Sequence, residues 1–553
     1  MKRYIVLLFA ALSVAAASAQ SSAVKKAANS VFTLTTYNQD GSVKATTRGV
    51  FVGNEGEAVS SWTPFVGASS AVATDAKGQK HDVSALIGAN ELYDVCKFRV
   101  DGKTTALRPT TNGAAKGSKV WVVNTANGKP QATQIEVERN EKFMNKYSYY
   151  IFANKVADEN EGCPVVDANG QLLAIVQNSQ AGDDTHATDV AFIDSVKTTG
   201  LSISDAVLRQ SRIRVDLPRD REQATLLLMM VSEQTDSLHY AQYVDEYVRL
   251  YPDATYGYTA RASSKIAAGD YEGAKQEMAN AAKNSSNKAE AHAEWSRLMY
   301  QKLVLTPDTT FSAWTLDDAM AEAQKAYAID PQPVYKHREA QIVFSKGDYS
   351  KAYDMFIELT KTDLRNGELY YEAAQSKSML KAPTSEVIEL LDSAISASPQ
   401  PLTNIAAPYV LSRGQLLDNN GEYRKAMKDY NLYDSLMVGR ASDSFYYTRY
   451  QCELKLKQYQ QALNDVAHAA FINPREPLYL AELASLQLRV NRCEDAVKAA
   501  DLCLQIAPES TDAYIIKGVA LMQLKKKEEG MQALNKAKEM GDTRADELIK
   551  KYK

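Results

Sequence analysis

This chain has few of the residues from which metal centres and redox motifs are usually built. It contains 5 cysteines and 6 histidines among 553 residues, and no two cysteines are separated by just two others. The chain therefore has no Cys-x-x-Cys redox or zinc motif. We therefore expect neither a metal nor a cofactor. Because the number of cysteines is odd, at least one thiol is unpaired or pairs between chains.

Long apolar runs and an excess of one charge are also missing. After residue 14 no apolar run reaches the roughly 18 residues that a membrane helix needs. The 64 basic and 68 acidic residues leave a net charge of -4, so nothing favours nucleic acid or anionic lipid. A chain of 553 residues is too long for one hydrophobic core, which predicts two or more domains.

The N-terminus has the pattern of an export signal. Lys2 and Arg3 precede an apolar stretch at residues 4–14, and small residues follow at positions 17–19. We predict a signal peptide over residues 1–19, cleaved before Gln20. The protein is then exported, with a bacterial periplasm as the expected compartment and the extracellular space as the alternative.

Two halves with different periodicity follow. Residues 24–207 contain short alternating or apolar runs separated by turns rich in Gly and Asn, which predicts an all-β barrel or sandwich. Residues 208–220 are interpreted as a linker. From residue 221 to the end the apolar period becomes that of a helix.

The β-rich half carries one informative hairpin. Residues 158–176 predict a loop, a strand, a two-residue turn at Asn169-Gly170 and a second strand. The segment resembles the nucleophile hairpin of trypsin-like serine proteases, especially the HtrA-type branch. In this resemblance Glu161 stands at the position of the catalytic serine.

Two further segments extend the resemblance. Residues 58–68 are similar to the stretch that holds the catalytic histidine, and Thr63 falls at its position. Residues 94–100 are similar to the strand opened by the catalytic aspartate, which is Asp94 here. The resemblance implies a double β-barrel in which Thr63, Asp94 and Glu161 occupy the former triad.

The chemistry of that triad is not retained. Acyl transfer needs a hydroxyl nucleophile and an imidazole that takes its proton, and neither Thr63 nor Glu161 can replace them. The former oxyanion loop contains Glu159, Asn160 and Gly162, and the β-carbon of Glu159 replaces a family glycine. We therefore expect no peptidase activity.

Three alternatives stay open. Cys163 or His186 is a candidate substitute in a rebuilt peptidase site, although we interpret the first as a buried structural cysteine and the second as a solvated loop histidine. A Cys96–Cys163 disulfide is conceivable near the former triad. Asp94 and Glu161 could form a Ca²⁺ site, although no loop has the spacing of a calcium-binding loop.

The helical half contains an internal repeat. Ala462 and Ala496 head equivalent segments 34 residues apart, each followed twelve residues later by a proline, and Ala426 precedes by 36. The pattern resembles the tetratricopeptide repeat. Residues 221–553 are predicted to hold about eight repeats, with tyrosines filling their cores and protein or peptide partners binding a groove. The oligomeric state is not indicated.

Overall fold

The computed structural model describes residues 22–126, 128–153, 155–177, 184–234, 237–306, 308 and 310–552. The predicted signal peptide lies outside these residues. The chain divides after Asn287 into two compact units, and each is treated by itself.

The first unit contains two closed antiparallel barrels of six strands. The strand order is β1-β2-β3-β6-β5-β4 in barrel 1 and β10-β11-β12-β9-β8-β7 in barrel 2. The strands are β1 Val31–Tyr37, β2 Val43–Phe51, β3 Glu57–Ser60, β4 Ser70–Asp75, β5 Lys80–Asn90, β6 Val95–Val100, β7 Lys119–Ala126, β8 Lys129–Phe143, β9 Tyr147–Phe152, β10 Pro164–Val166, β11 Leu172–Val176 and β12 Thr185–Asp189.

Alternating apolar residues build these barrels. Phe32 and Leu34 of β1 are buried in barrel 1, whereas Thr33 between them is only half-buried. Closure pairs every edge of each sheet. The all-β expectation for this half is confirmed, including the trypsin-like double barrel.

One local prediction was wrong. The β10–β11 loop has three residues, 168–170, rather than two, because the N–H of Asp167 donates to Gln171 O and so pairs these two residues, while the N–H of Gly170 donates to Asp167 O. Val190–Ile193 forms a helical turn capped by the Asp189 side chain.

Residues 208–220 are packed against barrel 1. Leu208, Val215 and Leu217 belong to the same buried cluster as Phe32 and other barrel 1 side chains. A parallel bridge joins Leu86 of β5 to Val215. The first helices of the helical half, at residues 221–250, share this core.

Nineteen helices of nine residues or more follow among the described residues. They are α1 Arg221–Gln234, α2 Ser237–Leu250, α3 Thr255–Ala267, α4 Tyr271–Asn284, α5 Lys288–Tyr300, α6 Leu316–Ile329, α7 Pro333–Ser345, α8 Tyr349–Leu359, α9 Gly367–Met379, α10 Thr384–Ser396, α11 Ala407–Asn419, α12 Tyr423–Met437, α13 Asp443–Lys455, α14 Tyr459–Ile472, α15 Pro477–Arg489, α16 Cys493–Ile506, α17 Thr511–Gln523, α18 Lys527–Glu539 and α19 Arg544–Tyr552. Of the helices in the part of the chain that the structure describes, none is long and apolar enough to cross a membrane.

The glycine, aspartate and alanine residues of the repeat have the structural roles that the sequence pattern predicts. Gly269 adopts φ +78° after α3, and Asp270 caps α4 by accepting from the N–H of Gly273. The small residue at the helix–helix contact is fully buried in successive repeats, at Ala274, Ala352, Ala426, Ala462 and Ala496. The helical-repeat prediction is confirmed.

The tyrosines of this half fill cores. Tyr243 and Tyr247 are buried in the cluster shared with barrel 1, and Tyr446 and Tyr450 are buried between later helices. Leu305 ends a π-helical continuation of α5, Gln301–Leu305.

Candidate functional site

The three former triad positions converge where the barrels meet. Thr63 opens a short 3₁₀ turn after β3, Asp94 ends the β5–β6 turn, and Glu161 follows a 3₁₀ turn just before β10. Asp94 has φ 43°, a left-handed conformation that is uncommon outside glycine. The three residues that the motifs place in this order along the chain are therefore close together in the structure.

Asp94 is hydrogen-bonded to Thr63. Its Oδ1 accepts hydrogen bonds from the backbone N–H of Thr63 at 2.7 Å and from the threonine hydroxyl at 2.9 Å. A protease aspartate orients the imidazole that removes a proton from the nucleophile. Here the aspartate accepts hydrogen bonds from a threonine, and the pair contains no imidazole.

Glu161 is half-buried and is held by barrel 1. Its carbonyl accepts from the Arg48 N–H and from the Thr47 hydroxyl, both at 3.1 Å. Burial raises the pKa of Glu161, the negative charges of Asp94 and Asp158 raise it further, and the nearby Ser61 hydroxyl partly offsets both. A carboxyl group in this position is not a nucleophile for acyl transfer.

Two backbone amides of the former oxyanion loop form hydrogen bonds within the loop. The N–H of Asn160 donates to Ala157 O at 2.9 Å, and the N–H of Glu161 donates to Asp158 O at 3.1 Å. An oxyanion hole needs amides aimed at the place where negative charge develops. In this turn both amides are directed into the loop itself, next to the carboxylates of Asp158 and Glu159.

Gly162 holds the loop against β2. It adopts φ +76°, and a β-carbon there would lie 2.1 Å from Arg48 O. Its N–H donates to Val176 O at 3.0 Å. Glycine is required here by close backbone approach as well as by conformation.

The cysteines are buried thiols. Cys96 and Cys163 have no exposed surface, and both are free, as are the other three. Burial raises the pKa of both thiols, and the charge of Asp94 adds to the effect at Cys96. No disulfide joins Cys96 to Cys163 in the structure, and the positive charge of nearby Arg48 only partly offsets the effect of burial at Cys163.

His186 is a strand residue, not the solvated loop residue that we expected. It lies on β12, with Nδ1 3.0 Å from the Tyr149 hydroxyl and Nε2 3.2 Å from Asp184 Oδ2. Tyr149 in turn donates to Gln177 Oε1 at 2.7 Å. Sequence analysis missed this network because its members come from three separate strand ends with no common motif. The preceding residues 178–183, part of the predicted loop, are outside the described residues.

His81 is the other histidine of the β-rich half. It stands at the start of β5, where it is buried and packs edge-on against Phe51. Its Nδ1 lies 2.8 Å from Asp101 O. It is a core residue and not a part of the site.

Little space remains beside Glu161. The cavity there encloses about 30 Å³ and is lined by residues that include Lys155, Asp158, Val176 and Gln177. This volume suits about one water molecule. Among the described residues, no group of three or more His, Cys, Asp or Glu side chains could hold a metal ion.

No protein-family model matches this chain, and no curated protein matches it. Among solved structures, the chain is similar to the HtrA-type protease AlgW, determined as a serine-to-alanine variant with a tripeptide. The two are 18% identical, the match covers 32% of this chain and 62% of that chain, and the TM-score is 0.29. It thus spans less than two thirds of that protease. On its own strand order, barrel closure and convergence of Thr63, Asp94 and Glu161, this chain has a trypsin-like double β-barrel followed by tetratricopeptide-like helical repeats.

Proposed function

We propose that this chain is an exported, non-catalytic binding protein in which a protease-like double barrel carries helical repeats that recruit a protein or peptide partner. One observation carries the non-catalytic part: Asp94 binds Thr63 rather than an imidazole, and the Glu161 amide donates to Asp158 O within its own turn. The imidazole base, the hydroxyl nucleophile and one of the two oxyanion donors are therefore lacking at the same place.

A row of glutamines supports a recruiting role for the repeats. The helices α7, α9, α11 and α13 each have 13 residues, and each has glutamine at its ninth position: Gln341, Gln375, Gln415 and Gln451. The last three are exposed. An amide side chain offers both a donor and an acceptor, so such a row can pair with the backbone of an extended peptide.

The helices that carry the row lie side by side. His337 of α7 contacts Glu372 of α9, and the centre of the Tyr371 ring of α9 lies 4.9 Å from that of Tyr409 of α11, with the two rings tilted by 41°. The fifth positions of the four helices, one turn before each glutamine, are all half-buried: His337, Tyr371, Leu411 and Tyr447. They supply apolar surface beside the amides.

The barrels are less suited to hold a peptide. Both are closed, so they offer no edge strand for an added peptide strand. The cavity beside Glu161 holds about 30 Å³, which is too small for a side chain. The export part of the proposal depends on the signal peptide predicted over residues 1–19.

The test is peptide capture by the purified full chain. A random peptide library is selected on the chain, and the affinity of the enriched peptides is measured by fluorescence anisotropy. The triple variant Gln375→Ala, Gln415→Ala, Gln451→Ala should bind at least about tenfold more weakly.

The matched control removes three exposed glutamines from second helices of the pairs. Gln461→Ala, Gln505→Ala and Gln532→Ala together lie on α14, α16 and α18, and this variant should bind as the parent chain does. Equal affinity of both triple variants, or failure to enrich any peptide, would contradict the recruiting role.

A further inference from the structure

We propose that a cleft in the first unit, between the segment after barrel 2 and helix α2, binds an organic carboxylate that carries an apolar group. The cleft encloses about 430 Å³, within the range of small-molecule sites. Its lining includes Arg209, Arg212 and Arg214, and no carboxylate lies among the described residues that line it. The inference does not depend on the proposed function.

One buried donor in the cleft lacks an acceptor among the described residues, and a tyrosine hydroxyl beside it is a second donor. Arg214 donates through Nε to Ser84 O at 2.9 Å and through Nη2 to Glu246 Oε2 at 2.7 Å, while its buried Nη1 has no acceptor in the described part of the chain. The Tyr243 hydroxyl oxygen accepts from the Val215 N–H at 3.1 Å, which leaves its proton to be donated. Buried donors are normally satisfied, so the cleft is short of acceptors.

The charge around the cleft is positive. Arg209 and Arg212 are exposed, and Arg212 donates to the neutral amide of Gln39 at 2.5 Å. Glu246 is shared with two more guanidinium groups, those of Arg219 at 3.7 Å and Arg249 at 3.5 Å. Arg219 also contacts the carboxylate of Asp216 at 3.3 Å. Arg209 and Arg212 form no ion pair within the described part of the chain, so the two exposed guanidinium groups of the cleft are a setting that attracts an anion.

The backbone that carries the arginines is fixed before any ligand arrives. The N–H of Arg212 donates to Ala68 O at 2.9 Å, and Arg214 O accepts from the Leu86 N–H at 2.8 Å. Both bonds join the segment to barrel 1. A site whose backbone is already ordered loses little conformational freedom on binding.

Apolar side chains complete the lining. Ile203 is half-buried and Leu208 is buried, and both belong to the lining together with the ring of Tyr243. An anion without an apolar group would leave this apolar surface without a contact. A carboxylate attached to an apolar chain uses both parts, and it can be a fatty acid or the free C-terminus of an apolar peptide.

Calorimetric titration of the full chain tests the cleft. The probes are decanoate, a leucine-rich tetrapeptide with a free C-terminus, the same peptide amidated, decylammonium and acetate. At least one of the first two should bind at least about tenfold more tightly than the last three. Decanoate binding alone indicates a lipid source, and binding of the free-acid peptide alone indicates a chain terminus.

The variant pair locates the binding. Arg209→Gln with Arg212→Gln should weaken the binding of the tighter probe about tenfold. Arg424→Gln with Arg475→Gln, two exposed arginines of the second unit, changes the net charge equally and should leave binding unchanged. Equal losses in both pairs, equal binding of decylammonium, or no binding of any probe would overturn the inference.

Discussion

Glu453 makes the stability of the helical repeats depend on pH. It lies on α13, is 3% exposed, and its Oε2 has no hydrogen-bond partner in the described part of the chain. Burial raises the pKa of Glu453 to about 8, the charge of Asp465 adds to this, and Arg449 acts in the opposite direction. In the folded chain the carboxyl is therefore largely protonated at neutral pH.

The direction of the pH dependence follows from the number of protons that the native and the unfolded chain bind. Between the ordinary pKa of 4.5 and the folded value of about 8, the native chain holds one more proton than the unfolded chain. The free energy of unfolding then falls by about 1.4 kcal/mol for each unit by which the pH rises. The stabilisation is complete below the lower value and is lost as pH rises through the higher one, a total on the order of 5 kcal/mol.

The substitution Glu453→Gln keeps the shape and removes the titration. Its urea midpoint, followed by far-UV circular dichroism from pH 5 to 9, should lack the decline that the parent chain shows. Glu528→Gln, at an exposed position of α18, is the control and should follow the parent. Parallel pH profiles for the parent chain and Glu453→Gln would refute the reasoning.

Two further substitutions test the packing of the first unit. Gly162→Ala should destabilise by roughly 3 kcal/mol or more because of both clash and conformation, whereas Gly41→Ala, at φ +81° with open space around it, should cost about 1 kcal/mol; equal thermal shifts would contradict this. Arg99→Ala leaves the carboxylate of buried Asp216, bound at 3.1 Å, without its main partner and should cost about 3 to 5 kcal/mol. Arg139→Ala, in an exposed ion pair, should cost under about 1 kcal/mol in the same melts, and a similar loss in both would contradict the burial argument.

The features that sequence predicted are those tied to local residue types. The repeats could be located because Gly and Asp end and begin helices and because alanine recurs at the helix contact, as at Ala462 and Ala496. The pairing of Thr63 with Asp94 followed from the order of the motifs. Each of these signals comes from residues close in the chain or from a motif of fixed order.

The features that sequence missed depend on contacts between distant segments. The 3₁₀ turn that engages the Glu161 amide differs from an open loop by a few dihedral angles, which no residue type specifies. His186 was assigned to a loop because polar residues precede it, yet pairing with β9 makes it a strand residue. The cleft at Arg214 joins an irregular segment to Tyr243 of a helix, and no periodicity links the two.

The central claim is that the former protease site performs no acyl transfer. Its most direct test is incubation of the purified full chain with a diverse peptide library, with products identified by mass spectrometry. The account predicts no cleavage above buffer. Cleavage that persists through repurification and is abolished by Cys163→Ala or His186→Ala would contradict it.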